Sequence, residues 1–509
     1  MNKKRICSGA ILAIIVFAEL FITSRSVGFF APLFPAETYA AKAFCVAIVW
    51  LLIAGATIFG GLHIVFNESR WKHVITIGFV LIVSIGLVCL YVDHRATFAY
   101  FYHMGSTYEP TTDTDDFIGS IREALALDKD NYRYWRAAGD AYYRIENYDF
   151  AIHYYNNAIE RNNDDAKLHF LAGRAYSPRR KMDDNNNDFE SARDCFQIAV
   201  DQRPNSAEYN YGLAIAWCDL GDYYNDNNSY ENAIKFFDAA ISNSSRNAVY
   251  YYKRGRCNFA LNNTNEAVTD FSEAIRYAPD AATYYYWRGR AYVNQGDLSA
   301  AENAVNDFDK AISKITNDAN YYYWRGRAYY IIGDDDNLEN AKNDFDTAIR
   351  LNGERAVFYY YGALTNKIIG NSLKKQGDIE TAEMHFQTEK EYIDDALRYD
   401  PNNSLYIHYI GSLKYNLHEY DLAVNYFKSA AELSNNASYY FDLGDAYYMQ
   451  GLYGEAVDAY STAINNDPSS VLYLSRRQFC YLLLENYALA KKDAERIMEL
   501  DDRGKEISY

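Results

Sequence analysis

From about residue 115 onward, apolar and polar positions follow the period of an amphipathic helix, and one cluster of small and aromatic residues keeps returning. A first helix carries a glycine. A second carries an alanine, an aromatic residue four positions later and usually another alanine three further on. Gly139, Gly173, Gly255, Gly289, Gly326, Gly411 and Gly444 mark first helices, with Ala214 in the glycine's place in one unit. Second helices carry Ala151, Tyr155 and Ala158; Ala192, Phe196 and Ala199; Ala233, Phe237 and Ala240; and the same triplet at Ala267, Ala304, Ala341, Ala423 and Ala456. Spacings of four and three put these residues on one helix face, where small side chains admit a neighbouring helix and the ring fills the space between.

This pattern predicts about ten helical hairpins over residues 132–504, with a lone second helix near 115–129 inside a connector at 96–131 and a short tail at 505–509. Pro204, Pro279, Pro401 and Pro468 fall just after second helices, where a helix must stop. The glycine, alanines, aromatic residue and closing proline, at a thirty-four-residue period in the regular units, resemble the tetratricopeptide repeat family. The resemblance implies an all-α, TPR-type helical-hairpin solenoid, a right-handed superhelix with first helices lining a concave binding surface. Some units are longer: the Asp/Asn-rich stretches at 182–188 and 222–229 read as lengthened loops, and the unit from Val357 to Asp400 reads as two helices each stretched by about two turns. Asp183, Asn185 and Asn187 imitate the start of a calcium loop, but Asp188 stands where such loops need glycine, so no metal site is expected. The last unit has Gln478 for its glycine and ends charged, as a solvated cap would.

The first 95 residues differ in kind. Apolar stretches at 7–23, 43–66 and 74–92 each approach the ~20 residues needed to cross hydrocarbon, which predicts about three N-terminal transmembrane helices. Lys3, Lys4 and Arg5 before the first, and Arg70 with Lys72 between the second and third, favour a cytoplasmic N-terminus and an extracytoplasmic repeat region.

Charge narrows the partners. The chain has a formal net charge of -18, but residues 1–95 carry eight Lys plus Arg against four Asp plus Glu, leaving the remainder at -22. Such a surface repels a phosphate backbone, so nucleic acid is not an expected ligand. The 51 tyrosines suit half-buried surfaces between helices. The seven cysteines form no CxxC pair, and there is no phosphate loop, HExxH or nucleophile elbow. Neither catalysis nor a cofactor is expected.

Two arginine sets stand out. One precedes the glycine: Arg254, Arg288, Arg325 and, in the cap, Arg477. Each has an aspartate on its second helix, respectively Asp270, Asp307, Asp344 and Asp493, whereas units without the arginine lack the aspartate. The joint switch predicts structural ion pairs within hairpins. The other set follows the glycine: Arg174, Arg256, Arg290 and Arg327. Three residues before the glycine, or before Ala214, stand Phe170, Tyr211, Tyr252, Tyr286, Tyr323 and Phe441. Ring and guanidinium four residues apart share a helix face, which the family resemblance makes the concave one. They form a candidate ladder for a ligand; the alternative is that these arginines pair with acids on adjacent units. The function expected from all of this is a membrane-anchored scaffold that binds a protein or peptide partner. A sugar-binding, non-catalytic subunit of a glycan assembly or export machine is the alternative.

Overall fold

The computed structural model describes residues 129–179 and 187–506, together with residues 119, 121, 122 and 124–126. The predicted spans and most of the connector lie outside these residues. Among the described residues, no helix is long and apolar enough to cross a membrane and there is no strand. The described chain is an all-helical, TPR-type array of antiparallel helix pairs in two compact units, residues 1–243 and 244–509.

Among the described residues, unit 1 holds three hairpins: α1 (Tyr132–Arg144) with α2 (Tyr148–Arg161), α3 (Ala166–Arg179) with α4 (Asn187–Gln202), and α5 (Ala207–Tyr224) with α6 (Asn227–Asn243). Unit 2 holds seven. They pair α7 (Ala248–Ala260) with α8 (Thr264–Tyr277), α9 (Ala282–Gln295) with α10 (Leu298–Lys314), α11 (Ala319–Ile332) with α12 (Asp335–Leu351), and α13 (Ala356–Gln376) with α14 (Ile379–Tyr399). The last three pair α15 (Ser404–Asn416) with α16 (Tyr420–Leu433), α17 (Ala437–Met449) with α18 (Tyr453–Asn466), and α19 (Val471–Leu483) with α20 (Tyr487–Glu506). In unit 2, the first helices α7, α9, α11 and α13 also touch one another in sequence.

Polar side chains start these helices. Asn131, Ser206, Asn247, Asp318, Asn403 and Ser470 each accept a backbone N–H of the first turn, satisfying a donor that the helix cannot. The turn inside a hairpin takes one left-handed residue, such as Gly296 (φ 77°) and Gly333 (φ 76°).

Extra residues extend helices more than loops, which corrects the expectation for 222–229. There α5 runs to Tyr224 and α6 begins at Asn227, so only two residues link them. Asp226 accepts the Ser229 N–H, and the Tyr230 hydroxyl donates to Asp222 at 2.6 Å. Residues 182–186 lie outside the described set, but Asp188 is inside α4 and buried. At Gly289 and Gly326 the added residues go into the second helices, so α10 and α12 have 17 residues where α8 has 14. The stretched pair α13 and α14 has 21 residues each, turned at Gly377 and Asp378. The final hairpin is largely exposed, and its apolar side chains share in that exposure. α20 continues to Glu506, through the start of the expected tail, while Leu472, Phe479, Leu482 and Tyr487 stay exposed.

One contact recurs in nearly every hairpin. A Cβ built on Gly289 would lie 2.8 Å from the Phe308 ring, on Gly326 2.9 Å from Phe345, on Gly411 2.7 Å from Phe427, and on Gly139 2.5 Å from Tyr155. The ring lies against the first helix at the site a side chain would fill, and Phe271, Phe308 and Phe345 are fully buried there. The long hairpin makes the contact twice, Gly362 against Tyr392 and Gly370 against Phe386.

The glycine is therefore kept for space, against its poor helix propensity. Gly444→Ala, whose Cβ would meet the buried Tyr460 ring at 2.5 Å, should destabilise by ~1–3 kcal/mol through overpacking. Gly454→Ala, in α18 with nothing within 4 Å, should be neutral or gain up to ~1 kcal/mol from propensity. Urea denaturation of the two variants checks this; equal effects would mean that the ring does not set the requirement.

Candidate functional site

The residues on either side of the marker glycine go to different places. The preceding arginine turns into its own hairpin. Arg288 donates through Nε and Nη2 to the two Asp307 carboxylate oxygens, both at 2.7 Å; Arg325 does the same to Asp344 at 2.8 and 2.7 Å, and Arg477 to Asp493 at 2.9 and 2.6 Å. Arg254 reaches both oxygens of Asp270 through Nε at 3.1 Å. The aspartates are almost wholly buried and the arginines about one-fifth exposed. Burial opposes the charge on Arg288 and Arg477, but the bonds to Asp307 and Asp493 prevail and hold both guanidiniums above the ordinary arginine value. At Asp344 burial prevails over the pull of Arg325 and pushes the carboxyl up, with the nearby charge of Asp309 adding to it.

A third limb of the arginine was not foreseen. Nη1 of Arg288 donates to Ser272 Oγ on α8 at 2.9 Å, Nη1 of Arg325 to Asp309 on α10 at 2.6 Å, and Nη1 of Arg477 to Ser461 on α18 at 3.0 Å. Each of these arginines thus ties three helices, joining its hairpin to the preceding one.

In six hairpins the residue after the glycine follows the ring opposite; Ser412, opposite Phe427, and Ala363, opposite Tyr392, do not fit. Where that ring is Tyr155 or Tyr460, its hydroxyl donates to an aspartate at this position, Asp140 at 2.8 Å and Asp445 at 2.5 Å; in the long hairpin Ala363 follows the glycine and Tyr392 donates instead to Asp346 at 2.6 Å. Where the ring is Phe196, Phe271, Phe308 or Phe345, no hydroxyl needs an acceptor and the position holds Arg174, Arg256, Arg290 or Arg327. This second joint switch is visible in the sequence but went unread.

In unit 2 these arginines alternate with aromatic rings. The Arg256 guanidinium carbon lies 4.7 Å from the Trp287 ring centre; Arg290 lies 4.2 Å from Trp287 and 4.7 Å from Trp324; Arg327 lies 5.2 Å from Trp324 and 4.3 Å from Tyr361. Among the described residues, no carboxylate forms an ion pair with Arg256, Arg290 or Arg327, contrary to the pairing alternative. Arg290 lies among four rings, Phe259 and Tyr286 besides the two indoles. Its Nε is buried without a hydrogen-bond partner, and burial lowers its pKa, helped by the charge of Arg256.

The rings expected to share this face also pack onward. Tyr252 packs 5.0 Å from Tyr284, Tyr286 5.0 Å from Tyr321, and Tyr323 4.9 Å from Phe358, each on the next first helix. Phe441 makes the same contact with Tyr473 at 4.9 Å, and in unit 1 Phe170 does so with Tyr209. Tyr211 lies 6.1 Å from Phe237 in its own hairpin. Arg174 is exposed, 5.1 Å from Tyr143, and its unit carries no tryptophan rung. The ladder thus adds Trp287 and Trp324 to rings the sequence had placed beside these arginines: Tyr286 lies 5.6 Å from the Arg290 guanidinium carbon, and the Tyr323 hydroxyl accepts from Arg327 at 3.3 Å. The signal for it was the identical string YYYWRGRAY at 284–292 and 321–329.

Tetratricopeptide repeat models match residues 118–166, 136–180, 183–248, 282–313 and 410–471, and a TPR repeat model matches 255–296. Among curated proteins, the chain is similar to serine/threonine-protein phosphatase 5 of Homo sapiens and of Rattus norvegicus, at 38% identity over 76 residues. That stretch is 15% of this chain and spans only 14% of each phosphatase, so it carries no catalytic activity across. Among solved structures, yeast Tom70 aligns over 81% of this chain and 92% of its own at 16% identity and a TM-score of 0.39. Human IFIT1 aligns over 79% and 89% at 14% identity and a TM-score of 0.36. At these values neither bears on what the chain binds.

The ion pairs make a quantitative prediction. Arg288→Ala leaves Asp307 buried and unpaired and should cost ~3 kcal/mol, whereas Ser272 retains its own bond to the Val268 carbonyl. Arg288→Leu combined with Asp307→Phe, which imitates the apolar units, should recover much of the loss in chemical denaturation. A double change as harmful as the sum of the single ones would show that apolar contact cannot replace the pair.

Proposed function

We propose that this chain is a membrane-anchored scaffold that holds a protein or peptide partner along the first helices of unit 2, with its repeat region outside the cytoplasm. Stacked helical hairpins offer extended faces suited to such partners. The observation that carries the reading is the run of Arg256, Arg290 and Arg327 in three consecutive hairpins, without ion-pair partners among the described residues, on a repeat region that is strongly acidic. In such a chain, cations left unpaired at regular intervals serve recognition better than stability. The anchoring rests on the three apolar stretches before residue 95 and on the basic residues that flank them. A glycan partner is less favoured, because Trp287 and Trp324 each already carry two guanidiniums and offer little open ring to a sugar.

Affinity capture with the full-length chain should retain a defined partner, and replacing Arg256, Arg290 and Arg327 together by glutamine should weaken its binding at least tenfold, or ~1.4 kcal/mol. Unchanged affinity would remove the ladder from the binding surface. Protease added to intact cells or spheroplasts should digest the repeat region; digestion only after lysis would reverse the topology.

A further inference from the structure

Consecutive hairpins of unit 2 stack through a fixed set of positions. On first helices, the residue four after the marker glycine meets a ring of the next first helix, as Phe259 meets Trp287 at 5.5 Å and Tyr448 meets Phe479 at 6.1 Å. On second helices, the residue after each member of the alanine, aromatic and alanine triplet takes part. Val268 lies in one cluster with Ala291, and Ile275 in one cluster with Ala282 and Tyr285. Ser272, Asp309 and Ser461 each accept from the arginine of the next first helix.

The last hairpin repeats these positions with different residues. The register puts Leu482 of α19 at the first of them and Lys491, Glu495 and Met498 of α20 at the other three. All four are exposed, as is Phe479, one helical turn before Leu482. Eight of the 27 exposed large apolar side chains among the described residues belong to this hairpin, a concentration unlike the scattered exposure of an ordinary surface. The first described hairpin has no such face. Ile121 and Ala124 are buried against α1, in clusters with Ala137, Ala138 and Tyr134, so a copy's last hairpin finds no open end there for head-to-tail stacking.

We propose that the outer face of the last hairpin is a self-association surface, joining two copies of this chain about a two-fold axis with α19 antiparallel to α19 and α20 antiparallel to α20. In that arrangement the face complements itself. Phe479 meets Leu482 of the second copy, and Lys491 meets Glu495 of the second copy, each twice, because an isologous contact repeats its pairs. Within α20, Lys491 and Glu495 lie 3.6 Å apart and exposed, where an ion pair contributes little. Between copies they flank a buried apolar stripe that water screens less. Setting α19 against α20 instead would lay Phe479 and Leu482 on these charges. The proposal is independent of what the arginine ladder binds, but two copies joined here carry two ladders, so a partner that meets both gains by avidity.

Light scattering on the full-length chain in neutral detergent micelles should find two chains per particle, separating on dilution. Phe479→Glu combined with Leu482→Glu should leave one chain per particle at an unchanged melting temperature, since both side chains are exposed. Lys491→Glu alone, or Glu495→Lys alone, sets like charges opposite each other and should weaken association at least ~10-fold. The two changes together restore opposite charges across the axis and should recover most of the loss. A single chain per particle at every concentration overturns the proposal, as does a dimer indifferent to the Phe479 and Leu482 changes. A charge swap that fails to recover overturns the antiparallel pairing, and so does adsorption of a single-chain particle to lipid vesicles through this face.

Discussion

The array depends on the absence of one carbon atom. Across nearly every hairpin an aromatic ring lies where the Cβ of the marker glycine would be, as with Phe308 against Gly289 and Tyr460 against Gly444. This close approach lets alanines such as Ala304 and Ala311 bury completely and fixes the rotation of one helix against the other. Where the ring is missing, so is the glycine: in the last hairpin Ala494 stands at the ring position and Gln478 at the glycine position. Where the hairpin is longer, a second glycine and ring, Gly370 and Phe386, continue the same contact.

Once the glycine is placed, its two neighbours in sequence face different surroundings, and their fates follow. The residue before it turns toward the second helix, so an arginine there is held by a buried aspartate and by the preceding hairpin. The residue after it can meet the hydroxyl end of a tyrosine ring, as Asp140 does, or tryptophans on its own and neighbouring first helices, as Arg290 does. Arg288 and Arg290 differ by two positions in the chain and by their whole electrostatic setting. The first has both carboxylate oxygens of Asp307; the second is enclosed by rings, which attract a cation more weakly than an ion pair, and its Nε is buried without a partner.

Much of this was legible before the fold was known, because an internal repeat tests each position several times within one chain. Arg254, Arg288, Arg325 and Arg477 could be paired with their aspartates by joint switching alone. The tryptophans escaped because their partners lie on neighbouring hairpins: Trp287 is met by Arg256 from one repeat and Arg290 from its own, a relation that no spacing within one helix reveals. The inserted residues were misjudged for another reason. Asp and Asn suit both loops and helix N-termini, and here Asp226, Asp297 and Asp334 begin longer helices, each accepting a first-turn backbone N–H. The tyrosines were placed on the correct helices and beside the arginines, as Tyr323 and Arg327 are, but sequence does not show that the next first helix also packs against them.

The division between arginines that hold the array and arginines that serve a ligand is the claim on which the function rests. It is tested most directly by comparing R288Q and R290Q in urea denaturation, followed by circular dichroism, with no ligand present. R288Q leaves a buried carboxylate uncompensated and should lose ~3 kcal/mol, whereas R290Q gives up contacts with rings and should lose about 1 kcal/mol. Equal losses, or a larger loss for R290Q, would make the ladder part of the framework and contradict its assignment to binding.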